Sequence, residues 1–428
     1  MNTEGMFDLV IVGGGAAGIM AAISARKNNQ GLNVAIIDRT FALGRKILVC
    51  GAGRCNITNI NLDKDITRRY YGADSSFLDS IFSKFGYKDI VKFFGELGIE
   101  LYVERKTEIG KLFPVTNQAQ TVTALLEDEL ARLGVKIFLN TDIKNITVSE
   151  AGFALEADTL DRNTVSGNKK FTAKKLIISA GGKTYPALGS NGSGYALASK
   201  LGHKVIAPVP SALPLEGKNA MSQQLQGIKM EIEATSIIEG KKIKSSVDDV
   251  MFTKYGLSGP AILNVSREIS IRINREHKED CYVALNFFPG QREEQVKQMF
   301  ERRWQKRPDQ QLQKSMYGIF PNKIPAVLLT IIGIDPLRKT GELTAAEKTK
   351  FFANLTDFRI RITATRGWNE AEFTAGGIDT TELKPATLES KLIPGLYFCG
   401  EIVNVDGDVG GFNLSWAWSS GWVAGKLK

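Results

Sequence analysis

Residues 7–18, Phe-Asp-Leu-Val-Ile-Val-Gly-Gly-Gly-Ala-Ala-Gly, constrain the fold more than any other stretch of this chain. An apolar strand runs straight into a G-x-G-x-x-G turn at Gly13, Gly15 and Gly18. In such a turn the first glycine lets the chain reverse tightly and the second lets backbone N–H groups approach a pyrophosphate. The third lets the next helix pack closely on the strand. That helix offers its unpaired N–H groups and the positive end of its dipole to the anion.

The flanking residues complete a βαβ unit. Residues 16–27, beginning Ala16-Ala17-Gly18, read as a helix of small side chains able to press on a sheet, and residues 33–37 read as a second parallel strand. Asp38 ends that strand where the fingerprint requires an acid for a ribose hydroxyl. Arg39 reads by itself as a surface charge, and its place beside Asp38 puts it with the nucleotide-facing set.

At 428 residues, 43% hydrophobic and 24% charged, the chain has room for two or three domains of an ordinary globular enzyme. It opens on a strand rather than a basic, apolar leader, and no stretch has the length of a membrane span. Four cysteines (Cys50, Cys55, Cys281, Cys399) are too few and scattered for a disulfide scaffold, so a reducing cytoplasm is expected. The net charge of +9 is mild for this length and comes without an RRM, KH or zinc-finger pattern. It favours anionic small molecules over nucleic acid as partners, and no membrane partner.

Further along, residues 118–133 carry Val122, Leu125, Leu126, Leu130 and Leu133 on one helical face, and a strand follows at 135–139. Segments from Ile143 and at 153–157 suggest a small antiparallel sheet, with a polar hairpin at 161–170 as the least ordered part. A short apolar strand at 175–179 ends in Ala180-Gly181-Gly182. From about Val205 the texture turns Pro-rich and alternating, as in a β-barrel-like insertion, and residues 291–352 turn to helical spacing. The lysines at 169–170, 174–175 and 241–244 read as loops or solvated strand edges. A late strand meets Gly400-Glu401, and Gly410-Gly411-Phe412-Asn413 opens a closing helix.

Three strand ends that run into glycine favour FAD over nicotinamide as the resident dinucleotide. The first turn takes the pyrophosphate, and a late strand–helix junction supplies N–H groups to the isoalloxazine edge. The expected fold is α/β: a Rossmann-like FAD-binding domain, parallel sheet with helices, interrupted by a β-barrel-like plus helical insertion. The expected boundaries are 1–204 with 373–428 for the FAD domain, 205–290 with 358–372 for the β-rich insert and 291–357 for the helical insert.

The chain resembles the bacterial flavoproteins of the BaiN/RdsA-like group, which includes the related aminoacetone oxidases. The resemblance rests on Gly13 to Gly18, Gly44-Arg45-Lys46, and Gly51-Ala52-Gly53-Arg54-Cys55-Asn56-Ile57-Thr58-Asn59. It continues through Ala180-Gly181-Gly182, the run from Phe252 to Ala261, Gly400-Glu401, Asp406-Gly407 and the stretch from Gly410 to Gly421. It implies non-covalent FAD contacts from Gly13, Gly15, Ala17, Gly18, Asp38, Lys46, Gly53, Arg54, Cys55 and Asn56. It further implies them from Ile143 (backbone, to adenine), Ala180, Gly181, Gly400, Glu401, Asn413 and Leu414; Ala16, Arg39, Gly411 and Phe412 join the set as neighbours. The chain departs from the group at Cys50, where members commonly have serine, and at Lys254, where they commonly have histidine.

Cys50 and Cys55 form a C-x4-C pair where flavin disulfide reductases place redox cysteines. The chain lacks the second nucleotide fingerprint and the C-terminal histidine of those enzymes, its only histidines being His203 and His277. No metal-ligand or acyl-transfer motif is present. Candidate catalytic groups are Tyr185, Lys254 and Tyr255, with Phe412 and Trp416 as further pocket or core aromatics. Two reactions fit: reduction of an activated C=C or carbonyl small molecule, with NADH or NADPH as transient donor, or oxygen-dependent oxidation of a small amine. An RNA-binding flavoprotein of the tRNA-modifying kind is the alternative of another class. It rests on Arg302-Arg303, Lys306-Arg307 and Lys314.

Overall fold

The computed structural model describes residues 2–64, 66–104, 110–162, 164–217 and 220–427. They form two compact units: Met1–Pro208 with Phe373–Lys428, and Val209–Glu372. Each has its own apolar core.

The first unit is built on β1 (Asn2–Val12), α1 (Ala16–Asn28), β2 (Val34–Ile37), α2 (Ala119–Arg132) and β3 (Lys136–Phe138). It continues with β4 (Thr141–Ser149), β5 (Gly152–Asp161), β6 (Thr164–Ile178), β7 (Leu396–Phe398) and α3 (Phe412–Gly425). The order β3-β2-β1-β6 is parallel, and β6 then pairs on its far edge, first antiparallel with β5 and later parallel with β7. The buried run from Val34 to Ile37 is what a parallel strand covered on both faces requires. In α1 all nine residues from Ala17 to Ala25 are buried. Such a helix must be covered on several sides, and α3 supplies one cover. A Cβ on Gly421 would stand 2.3 Å from Ala17 O, and one on Gly425 2.3 Å from Ala21 O. Only glycine permits that approach.

The polar hairpin expected at 161–170 is present, with Thr164 paired to Asp161 across its turn, and it is part of a longer ladder. Thr164 begins a 15-residue strand that runs unbroken to Ile178, and Asn163 lies outside the described residues. Its first half is an exposed ribbon paired with β5, so alternating burial is weak there and the residues look like loop. The segments at 143 and 153–157 accordingly belong to the main sheet through β5 rather than to a separate small one. The lysines at 169–170 and 174–175 lie on β6, and those at 241–244 begin another strand.

In the second unit seven strands follow a single antiparallel path, from Phe358–Ile362 at one end to Ala364–Thr365 at the other. Only Thr363 separates these two end strands in the chain, so the sheet curls until its edges meet, as a barrel does. Helices Glu293–Lys306, Lys323–Ile331 and Ala345–Thr356 carry the aromatic part of this unit's core, where Phe300, Trp304, Phe351 and Phe352 pack edge-on or tilted against one another.

Candidate functional site

Strand register puts the carboxyl ends of five parallel strands in one row. Val12 pairs with Ile37 and with Ile178, Ile37 pairs with Phe138, and Ile178 pairs with Phe398. The next residues along each strand therefore gather at one sheet edge: Gly13, Asp38, Ser179-Ala180-Gly181 and Cys399-Gly400. Ligands of open α/β sheets bind at this edge.

At its centre, Gly13 has φ 104° and a Cβ there would stand 2.6 Å from Ser179 O; a Cβ on Gly18 would stand 1.9 Å from Gly13 O. A Cβ on Gly15 would meet nothing within 4 Å. Two glycines thus serve the turn's own packing, while the third opens onto free space at the start of α1. No side chain caps that helix and no acid stands in its first turn, so Ala16, Ala17 and Gly18 present their end of the helix to an anion. Asp38 takes the Gly14 N–H on Oδ2 (2.6 Å), and the Thr40 N–H (2.8 Å) and hydroxyl (2.7 Å) on Oδ1. These bonds fix its carboxylate beside the turn. Phe138 O, Thr141 N and Asn140 N bond Asp38 and Thr40, which brings the strand bearing Ile143 alongside. Arg39 is no simple surface charge: its Nε is buried without a hydrogen bond and lies 3.7 Å from Asp142.

On the β6 and β7 side, Ser179 Oγ donates to Gly13 O (2.8 Å). A Cβ on Gly400 would lie 2.6 Å from Ala17 Cβ. Glu401 binds segments far apart in sequence: Lys46 Nζ (2.6 Å), the Thr374 N–H (2.9 Å) and the Thr184 hydroxyl (3.4 Å). Lys46 also donates to Thr184 Oγ1 at 2.6 Å. A Cβ on Gly182 would crowd this cluster, 2.3 Å from Thr374 Oγ1 and 2.5 Å from Glu401 Oε1. Lys46 and Glu401 entered the sequence-derived set by resemblance, as cofactor contacts; their bonds to each other and to Thr184 and Thr374 carried no sequence signal. No local pattern marks a bond between residues 355 positions apart.

The loop after Cys50 runs left-handed at Gly51, Ala52, Gly53 and Cys55. Arg54 bonds Glu104 (2.8 Å) and lies over Phe113, 4.1 Å from the ring centroid, and the Glu104 bond raises its pKa. The groups around the Asn56 amide assign its nitrogen to Leu112 O and Thr58 O (3.1 Å each) and its oxygen to the Gly411 N–H (3.0 Å). Asn413 spends its side chain on the main chain of Gly407 and Asp408. The start of α3 is uncapped like that of α1, with Gly411 at φ 101°. Side chains of the set thus hold the loops, and main-chain groups face the edge.

Of the candidate catalytic groups, Tyr185 belongs to the first unit and holds a left-handed backbone, φ 53°. Lys254 and Tyr255 belong to the second, where Lys254 is exposed and Tyr255 lies under the Arg366 guanidinium (4.7 Å), itself paired with Glu216 and Glu370. Phe412 and Trp416 are core residues rather than pocket walls, each 1% exposed. Phe412 packs on Tyr70, and Trp416 donates to Gly400 O at 3.0 Å. Burial drives the Cys55 thiol pKa well up, so Cys55 is no resting thiolate. Among the described residues no cluster could hold a metal ion, and no helix is long and apolar enough to cross a membrane.

The family profile described as HI0933-like protein Rossmann domain matches residues 7–427. A 3-dehydro-bile acid delta(4,6)-reductase of Clostridium scindens is 34% identical over 416 residues, 97% of each chain. A ribosomal RNA dihydrouridine synthase of Escherichia coli is 30% identical over 420 residues, 98% of this chain and 97% of the relative. Among solved structures, a quinol-fumarate reductase with menaquinol molecules superposes with TM-score 0.53 at 17% identity, over 99% of this chain and 71% of the other. That likeness is one of fold.

Proposed function

The chain belongs to the HI0933-like Rossmann family and is an FAD-dependent oxidoreductase, and from that premise we propose that it saturates a C=C bond conjugated to a carbonyl group. One observation carries the reading. Reduction of a 4,6-diene beside a 3-oxo group and reduction of uridine to dihydrouridine are the same change, hydrogen added across an alkene polarised by a carbonyl, and both relatives match end to end.

The row of strand ends fits FAD, with open space at Gly15 and an uncapped helix start beside it. Gly13, Gly15 and the start of α1 would hold the pyrophosphate, Asp38 the ribose and the Ile143 backbone the adenine, with Arg39 beside Asp38. Lys46, Gly53 to Asn56, Ala180, Gly181, Gly400, Glu401 and the start of α3 from Gly411 to Leu414 would hold the flavin portion. Bound FAD supplies hydride transfer, with NADH or NADPH as its donor. Hydride addition to the β-carbon leaves an enolate that needs a proton at the α-carbon. Tyr185 Oη, Lys254 Nζ and Tyr255 Oη are the candidate donors.

An anaerobic visible spectrum of the purified protein, before and after NADH and then NADPH, tests this. Bleaching of a flavin band by either donor, and its return on adding a 3-oxo-4-ene steroid or a uridine-containing RNA, supports the reading. A flavin that stays oxidised with both donors overturns it and turns the search to small amines with oxygen as acceptor.

Between these substrates, a second reading takes RNA. Arg302, Lys306, Arg307 and Lys314 are exposed on the helical part of the second unit and enter no ion pair among the described residues. Filter binding across a salt series decides it: phosphate contact gives a straight, steep fall of log affinity with log salt, and absence of binding at low salt removes it.

A further inference from the structure

The C-x4-C turn holds a chemistry that the flavin reading does not use. Cys50 ends a short 3-10 turn (Ile47–Val49) and is half-buried, whereas Cys55 is fully buried at φ 64°. The Cys55 N–H donates to Cys50 O at 3.0 Å, closing the loop between them. A carbonyl oxygen lies about 2.4 Å from its own Cα and an amide nitrogen about 1.5 Å from its own, so this bond holds the two Cα atoms within about 7 Å of each other. Disulfides occur at Cα separations of roughly 4.4–6.8 Å. The thiols sense each other electrostatically, since Cys50 helps raise the Cys55 pKa. Neither is bonded to another cysteine. Cys281 lies in the second unit and Cys399 is fully buried at the end of β7.

We propose that Cys50 and Cys55 are a peroxide-responsive dithiol that closes as a disulfide across this turn. Cys50 is the entry point because it is half-buried where Cys55 is fully covered. The Cys50 thiolate attacks the O–O bond and becomes a sulfenic acid, and the departing hydroxide takes up the thiol proton as water. The Cys55 sulfur then displaces the sulfenic oxygen, which leaves as a second water with the Cys55 proton. Two thiols and one peroxide give one disulfide and two waters, and a dithiol reductant reverses the bond by exchange. Asn56, next to Cys55, holds the Gly411 N–H at the start of α3, so the bond forms one residue from that helix's anchor.

The test exposes the FAD-loaded protein to hydrogen peroxide in slight excess, alkylates it after denaturation and maps peptides without reductant. Expected is a loss of two of the four thiols, both at 50 and 55, with a mass two hydrogens lower and recovery by dithiothreitol. In Cys50→Ser, which installs the residue common in the resembling group, Cys55 stays a thiol under the same treatment. In Cys55→Ser, Cys50 stops at a sulfenic acid that dimedone traps. Unchanged thiols, a sulfinic Cys50 beside an intact Cys55 thiol, or oxidation of Cys55 in Cys50→Ser would each overturn the proposal. None of these readouts depends on the substrate.

Discussion

Gly15 and Gly18 belong to one motif yet do different work, and alanine separates the two. At Gly18 a Cβ collides with Gly13 O at 1.9 Å, so Gly18→Ala is expected to destabilise the flavin-stripped protein by about 1–3 kcal/mol. At Gly15 the added methyl meets only open space. Gly15→Ala is therefore expected to leave the urea midpoint of the stripped protein unchanged while FAD affinity falls. Equal midpoints for both variants would contradict this division. Glu401→Gln is the matching test of the carboxylate: it leaves the Lys46 ammonium without its charge partner, at a cost of about 1–3 kcal/mol. Urea unfolding reads that loss directly. Legibility at this scale followed sequence distance. Gly13, Gly18 and Asp38 announce themselves within one βαβ unit, whereas Thr184 and Thr374 matter only because the fold brings both to Glu401, and no spacing encodes that.

The helix pair α1 and α3 is held by what its glycines lack. Gly421→Ala is expected to push the two helices apart and lower stability by about 1–3 kcal/mol, measured as a drop in Tm. The segment before β7 has a different hold. Ser390 Oγ accepts the N–H groups of Leu392 and Ile393 (3.0 and 2.9 Å), so its own hydrogen points to His203 Nε2 (2.9 Å), and His203 carries its proton on Nδ1 toward Glu382 (2.9 Å). Burial favours the neutral ring and lowers the His203 pKa below its usual 6.5, despite Glu382. The unfolded chain then binds the proton more readily. Stability is complete above about pH 6.5 and falls as pH drops through the lowered folded value, by at most about 1.4 kcal/mol per pH unit. His203→Gln is expected to flatten that acid limb in urea titrations at pH 5 and 7; an unchanged limb would count against it. The sheet itself was partly legible: β1 and β2 carry apolar runs and α2 an apolar helical face, but the first half of β6 is largely exposed and shows no such signal.

At the level of the whole chain, the first unit is discontinuous, 1–208 and 373–428, and the second is inserted in it. The insertion leaves and returns at one place, because the Glu372 N–H bonds Ala212 O at 3.1 Å. A chain in which a short glycine linker replaces residues 213–371 is expected to fold and to keep a flavin absorbance band; a colourless, unfolded product would show that the first unit depends on the second. The two points where the insertion meets its host are hydrogen-bonded neighbours. In the language of descent the second unit is a graft on a closed stem: residues 213–371 can be traded, lengthened or recoded without cutting a strand of the first unit.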